Sequence, residues 1–437
     1  MIPRTRLARR PHPPARRPRT LPAVAVTAAL LLAGCSSTAT GETTESPTAG
    51  LGNAYIVNTG GVESDVDHPY PSISVIDRSS ADVTHTIAFP ADVDHAEVGH
   101  FFNVSTDGSR LWLGTRSDET EAGHGTVRSY DLAALLTQDV TDYAQSDAVV
   151  NSFDVGSGIQ NVRTPDGRFL FTSSEQGTKG INIFDADQGT FIGTIPNDNT
   201  SPHSGAVSPD GKTYYTTTAE KHHVVGYDIS GLPDRVPTDT DRVLDLDLGY
   251  GSLHAFDIDP SGRYLFVGNS DWQIPDGATP RSGVNVIDIS GARPTVIATV
   301  PGRPHNFALS PDGKHLASTE LKAQAKANDC DAGAADLGNR LQIIDISTLA
   351  GATPDPAAIK EIYSYETPGL GGSHAIWDEA TGWLYYTVID NESGQGWLQV
   401  LDTGGLDGTE PSLTQARDPQ EIGWNPHGLV IPGHNGR

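Results

Sequence analysis

Six histidines occupy one position in a repeated sequence unit. Five lie eight residues before a turn glycine: His100 before Gly108, His203 before Gly211, His254 before Gly262, His305 before Gly313 and His374 before Gly382. His427 takes the corresponding place near the C-terminus. Imidazole nitrogen suits Zn²⁺, Cu²⁺ or Ni²⁺, so several imidazoles around one opening would form a transition-metal site. Met1 is the sole methionine, which argues against a Cu(I) thioether site. Duplication of one structural histidine, its ring held against a neighbouring repeat's carbonyl, would produce the same recurrence. Both roles stand open.

The elements that must position these residues are legible as repeats. Phe307 to Ala317 is an apolar strand, a tight turn at Pro311-Asp312-Gly313 and a second strand. The same unit recurs at Thr164-Pro165-Asp166-Gly167, Ser208-Pro209-Asp210-Gly211 and Asp259-Pro260-Ser261-Gly262, and more loosely at Ser105–Gly108 and Asp378–Gly382. Proline presets φ for the first central position of such a turn, and glycine accepts the positive φ at its end. A third strand ending in aspartate follows each pair: at Asp77, Asp131, Asp185, Asp228, Asp288, Asp345 and Asp402. With a fourth strand such as Val296–Val300, the pattern predicts seven four-stranded blades, an all-β propeller over residues 51–437. The first unit begins with its second strand, Ala54–Asn58, and the C-terminus offers an unpartnered first strand, His427–Ile431. Pairing these two closes the ring and removes two exposed edges. Histidine then marks the start of the inner strand in six blades; in the third, Ile159 stands at that phase beside Gln160 and Asn161.

These repeats resemble the secreted YVTN propellers, a superfamily shared with cytochrome d1-like and lactonase-like propellers. That resemblance implies the fold and is nearly silent on function, because propellers host many unrelated sites. The hub is similar in principle to the propeller of nitrous oxide reductase, which gathers histidines around a copper–sulfide cluster. By that analogy the six histidines would be ligands, but no cupredoxin domain follows and the third blade lacks its histidine. Periplasmic zinc metallochaperones built on propellers offer a second analogy, without a matching motif beyond the histidines.

The N-terminus speaks to location. Residues 1–20 carry seven arginines and no acid, and an apolar run from Leu21 to Leu32 follows. A basic segment, a short apolar segment and a small-residue site read as a secretory signal peptide. Leu32-Ala33-Gly34-Cys35 resembles the lipobox of bacterial lipoproteins, which implies removal of residues 1–34 and diacylation of Cys35. Residues 35–50 are rich in Ser, Thr, Gly and Glu, too polar to fold, and would serve as a flexible tether. The expectation is a lipid-anchored protein on the outer face of the cytoplasmic membrane, partnered by a metal ion or another envelope protein.

Composition narrows the partners further. The formal charge is −26, and removing the seven arginines of residues 1–34 makes it −33. Such a surface repels nucleic acid and attracts cations. Besides Cys35 the chain has one cysteine, Cys330, so no intramolecular disulfide holds the propeller.

Chain direction places the connections between second and third strands on the histidine face. Several are long: 60–70 holds Asp65, Asp67 and His68; 117–125 holds Asp118, Glu119, Glu121 and His124. Residues 268–282 hold Trp272, and 320–339 hold Asp329, Cys330, Asp331 and Asp336. His95 and Glu97 fall on the same face. Loops over a rigid scaffold are where binding residues concentrate, although Leu132–Ser146 on the opposite face is long too. Asp329 and Asp331 lack the remaining spacing of a calcium loop. A nucleophile elbow is missing, and Cys330 has no evident partner. Three functions therefore compete. The hub binds zinc or copper for storage or delivery; or histidine, arginine (Arg163 or Arg303) and acid at the same mouth hydrolyse a lactone; or the propeller is a non-catalytic interaction module.

Overall fold

The computed structural model describes residues 52–60, 71–89, 97–117, 125–156, 158–174, 180–196, 204–217, 222–249, 253–269, 283–320, 340–351, 353–368, 370–390 and 393–432. The signal and tether segments, with Cys35, lie outside them. So do the long-loop residues His68, His95, His124, Trp272 and Cys330.

The described residues form seven four-stranded antiparallel sheets, each running from an inner to an outer strand in chain order except the first. In that first blade the C-terminal strand Pro426–Val430 pairs with Asn53–Asn58, followed outward by Ser72–Asp77 and Asp82–Ala88. The ring closes by pairing chain end to chain start, as the repeat count requires. Arg78 of the first blade adds a bidentate ion pair to Asp378 of the seventh, at 2.6 and 2.9 Å, with the Asp378 side chain fully buried.

Two local devices repeat because the sequence repeats. Each turn glycine between first and second strands has φ near +70°, from Gly108 through Gly382, a conformation closed to most side chains. Each aspartate ending a third strand accepts a backbone N–H two or three residues on, at 2.7–3.0 Å. The carboxylate thus turns the chain toward the outer strand, which gives the recurring aspartate its structural reason.

Alternating strand residues face both neighbouring blades, so the core lies between blades. Tyr55, Val57 and Ile73 of the first blade pack with Phe102, Leu111 and Tyr130 of the second. Ile56 and Leu429 pack on the other side against Ile376, Tyr385 and Val400 of the seventh. Packing blade on blade fixes the angular position of every inner strand, and so the directions from which side chains approach the axis. Among the described residues no helix is long and apolar enough to cross a membrane.

Candidate metal centre at the propeller hub

Six of the seven inner strands break register with their second strand at the histidine phase; in the fourth blade that position, His203, lies outside the described residues. In blade five, Leu253 pairs with Asn269 and Ala255 with Gly268, so His254 is an extra residue. His305 is skipped in the same way between Pro304 and Asn306, and His100 between Gly99 and Phe101. Ser373 and His374 are both skipped in blade seven, and His427 lies at the break in the closing strand. In blade three the extra residues are Ile159 and Gln160. A β-bulge leaves its extra residue outside the ladder and re-aims its side chain, and bulges concentrate beside binding sites. The periodic histidine is thus a periodic bulge, a feature that the eight-residue spacing alone did not disclose. Threonine hydroxyls on the second strands satisfy amides at two of the breaks: Asn306 N–H donates to Thr319 Oγ1 at 3.1 Å, and His374 N–H to Thr387 Oγ1 at 3.0 Å.

Four of the six histidines meet at the hub. The His254 and His305 rings have centroids 4.6 Å apart, His305 and His374 5.4 Å, and His374 and His427 5.7 Å. His305 and His427, from blades that are not neighbours, are 5.9 Å apart. His305 and His374 are buried. His203 lies outside the described residues, and for His100 the backbone alone is described.

Hydrogen bonds define the protonation of three rings. His254 Nδ1 lies 2.7 Å from the His305 carbonyl, and His305 Nδ1 lies 3.0 Å from the Ser373 carbonyl. A carbonyl only accepts, so both Nδ1 atoms carry the proton. His374 Nδ1 lies 2.9 Å from Ser373 Oγ, whose own proton goes to the Pro426 carbonyl at 2.6 Å. The hydroxyl has one proton to give, so it accepts from His374 Nδ1–H. Each histidine is therefore tied to the inner strand of the next blade, directly or through Ser373. In a neutral ring this arrangement makes Nε2 the lone-pair nitrogen, as a carbonyl-bonded Nδ1–H does in metal-binding histidines. The structural and the ligating role are compatible in one side chain. Burial pushes the His305 pKa below its ordinary value, opposed by the bond to the Ser373 carbonyl, and so favours the neutral ring.

Imidazole is the donor type that a borderline divalent ion takes. Two imidazoles on one tetrahedral ion, with bonds of about 2.0–2.1 Å, have ring centroids roughly 5 Å apart. The observed 4.6–5.9 Å bracket that value. Among the described residues, however, the trio whose donor atoms all lie within 4.8 Å of one another is at the rim: His222, His223 and Asp247. Among the described residues, no three hub histidines bring their donor nitrogens that close together.

The two arginines considered for the mouth part company. Arg163 ends its inner strand and donates to Thr106 Oγ1 at 3.2 Å, which places it by the turn of the second blade, away from the histidines. Arg303 precedes His305 by two residues, and its N–H donates to the buried Glu320 at 3.1 Å. Glu320 is held in turn by a bidentate pair to Arg340, both contacts 3.1 Å.

Neither a family model nor a curated protein sequence matches the chain. Solved structures do. A periplasmic gluconolactonase of Pseudomonas aeruginosa is 16% identical with a TM-score of 0.58, covering 86% of this chain and 98% of that one. A putative 6-phosphogluconolactonase of Bacteroides fragilis is 13% identical with a TM-score of 0.58, covering 88% and 99%. Hydrazine synthase of Kuenenia stuttgartiensis is 17% identical with a TM-score of 0.54, covering 76% and 90%. At such identities these likenesses establish the propeller fold and nothing finer.

Proposed function

We propose that this chain is an envelope lipoprotein whose propeller hub binds a transition-metal ion, zinc or copper, for metal binding or delivery. The observation that carries the reading is the bonding at the hub. His254 and His305 each donate Nδ1–H to a backbone carbonyl, and His374 to Ser373, beside His427. Rings so tied present Nε2 as acceptor whenever they are neutral, and the strongly acidic surface draws cations toward them. His100 and His203 are candidate completing ligands by sequence phase. Zinc titration of the purified full chain tests the reading: His254→Ala with His305→Ala abolishes one binding event that the parent shows, whereas stoichiometry and affinity identical to the parent's refute a hub site. The anchor is tested separately. Cys35→Ser releases the protein from the membrane fraction, and retention there removes the lipoprotein reading.

A second reading rests on the bond from the backbone N–H of Arg303, two residues before His305, to the buried Glu320, from which a histidine, an arginine and an acid would share one mouth. A lactonase-like hydrolase would use such a set, and the lactonases among the fold relatives are compatible with it. Turnover of aldonolactones that disappears in His305→Ala would favour this reading over metal delivery.

A further inference from the structure

We propose that His222, His223 and Asp247 form a second metal site, mounted on the rim of the fourth blade and independent of the hub. The residues come together through strand pairing. His223 opens the third strand of the blade, His223–Asp228, and pairs with Asp247 at the end of the outer strand, Arg242–Asp247. His222 precedes the strand, and its carbonyl accepts the Leu248 N–H at 2.9 Å, which clamps the two chain segments together.

The donor geometry is close to what a tetrahedral ion requires. His222 Nε2 and His223 Nε2 each lie 3.7 Å from the same oxygen, Asp247 Oδ1. With bonds of about 2.0–2.1 Å, the edge of a tetrahedral ligand set is roughly 3.4 Å. A shift of a few tenths of an ångström therefore brings each imidazole to the carboxylate edge, and the two imidazole donors lie within 4.8 Å of one another. The partly exposed rim leaves the fourth corner to water, because the His222 and His223 side chains are 23% and 26% exposed.

Outer contacts prepare the ligands. His223 Nδ1 lies 3.1 Å from Asp245 Oδ1, so an ionised Asp245 accepts Nδ1–H, which makes Nε2 the lone-pair nitrogen of the neutral ring. A carboxylate behind a histidine is the arrangement that orients ligands and raises their basicity at zinc sites. Asp247 Oδ1 accepts the Gly249 N–H at 2.6 Å, which fixes the carboxylate and keeps a second lone pair for the metal. Two imidazoles and one carboxylate suit zinc and its borderline neighbours over calcium or magnesium, which take oxygen. By chain direction this rim lies on the same face as the hub histidines. A site there would take up ions at the perimeter of the opening.

The test is calorimetric titration of the full chain with Zn²⁺ after chelation. His222→Ala with His223→Ala lowers the stoichiometry by one ion while the hub histidines remain. Asp245→Asn keeps all three ligands and weakens the rim event by about 10–100-fold, as loss of an orienting partner does. The same pair of substitutions in a His254→Ala, His305→Ala background separates the two sites. Zn²⁺ uptake that survives hub substitution and vanishes with the rim pair supports the rim site. Stoichiometry and affinity unchanged by His222→Ala with His223→Ala overturn it and leave the hub reading untouched. Far-ultraviolet circular dichroism identical to the parent's confirms that each variant compared is folded.

Discussion

The two ends of the inner strands are built differently. At the turn end the same bond recurs inside four repeats: Ser105, Thr164, Ser208 and Ser310 donate a hydroxyl to Asp107, Asp166, Asp210 and Asp312 at 2.5–2.7 Å. At the histidine end the bonds cross from blade to blade, and the partner changes, from the His305 carbonyl to the Ser373 carbonyl to Ser373 Oγ. A self-contained turn survives divergence of its neighbours, because all its partners are copied with it. A contact between blades persists only while both blades keep it. Three of the inner-strand histidines are held through bonds that no single repeat encodes, so those contacts depend on two blades at once.

The comparison breaks most drastically if the ring cannot close. Deleting residues 426–437 removes the strand paired with Asn53–Asn58, the hub ring of His427, and the buried Leu429 and Ile431. The truncated chain exposes strand edges and an apolar face, so it aggregates or melts far below the parent. An unchanged melting temperature would show that the C-terminal strand is dispensable.

Single substitutions at the two ends sharpen the contrast. Ser373→Ala leaves His374 Nδ1–H and the Pro426 carbonyl without the hydroxyl that joins them, in a fully buried position. The expected cost is about 1–3 kcal/mol, together with weaker metal binding, since His374 loses its orienting partner. Asp312→Ala at the turn removes bonds to Ser310 and the Lys314 amide at an exposed residue. It costs about 0.5–1 kcal/mol and leaves metal affinity unaltered. Chemical denaturation and zinc titration of both variants check the pair; equal effects on affinity would erase the distinction.

Acid should unmake the two ends in sequence. The His305 pKa is lowered in the folded state, so below the unfolded value of about 6.5 the unfolded chain binds the proton first. Stability of the metal-free protein therefore declines as pH falls through that value. Asp107 is held down at about 2, chiefly by the Ser105 hydroxyl, so its contribution persists above its ordinary 3.8 and is lost only as pH falls from there toward 2. Melting temperature against pH should show the first decline in the parent and a smaller one in His305→Ala.

The fold was largely legible because a propeller repeats its punctuation. Turn glycines, strand-ending aspartates and the unpartnered first strand gave blade number and closure from the chain alone. The convergence of His254, His305, His374 and His427 was legible too, through phase. The bulge was not, because register is a relation between two strands and leaves no mark on one. Ser373 escaped notice since its partners His305 and Pro426 lie 68 and 53 residues away in sequence. The pair His222-His223 was visible but out of phase with the hub ring. Asp247 joins it through the pairing of third and fourth strands, which spacing does not give.

The central claim is that the hub binds a metal through Nε2 of its histidines. Zinc titration of the full chain against its His254→Ala, His305→Ala variant tests it most directly, with the rim pair His222 and His223 substituted in both. The account predicts saturable binding in the hub-intact protein that weakens steeply below about pH 6, as imidazoles protonate. It predicts loss of most of that affinity in the hub variant, and a rise in melting temperature on zinc addition only where the hub is intact. Identical weak binding by both proteins, no tighter than an acidic surface provides, would contradict it and leave the histidines as struts between blades.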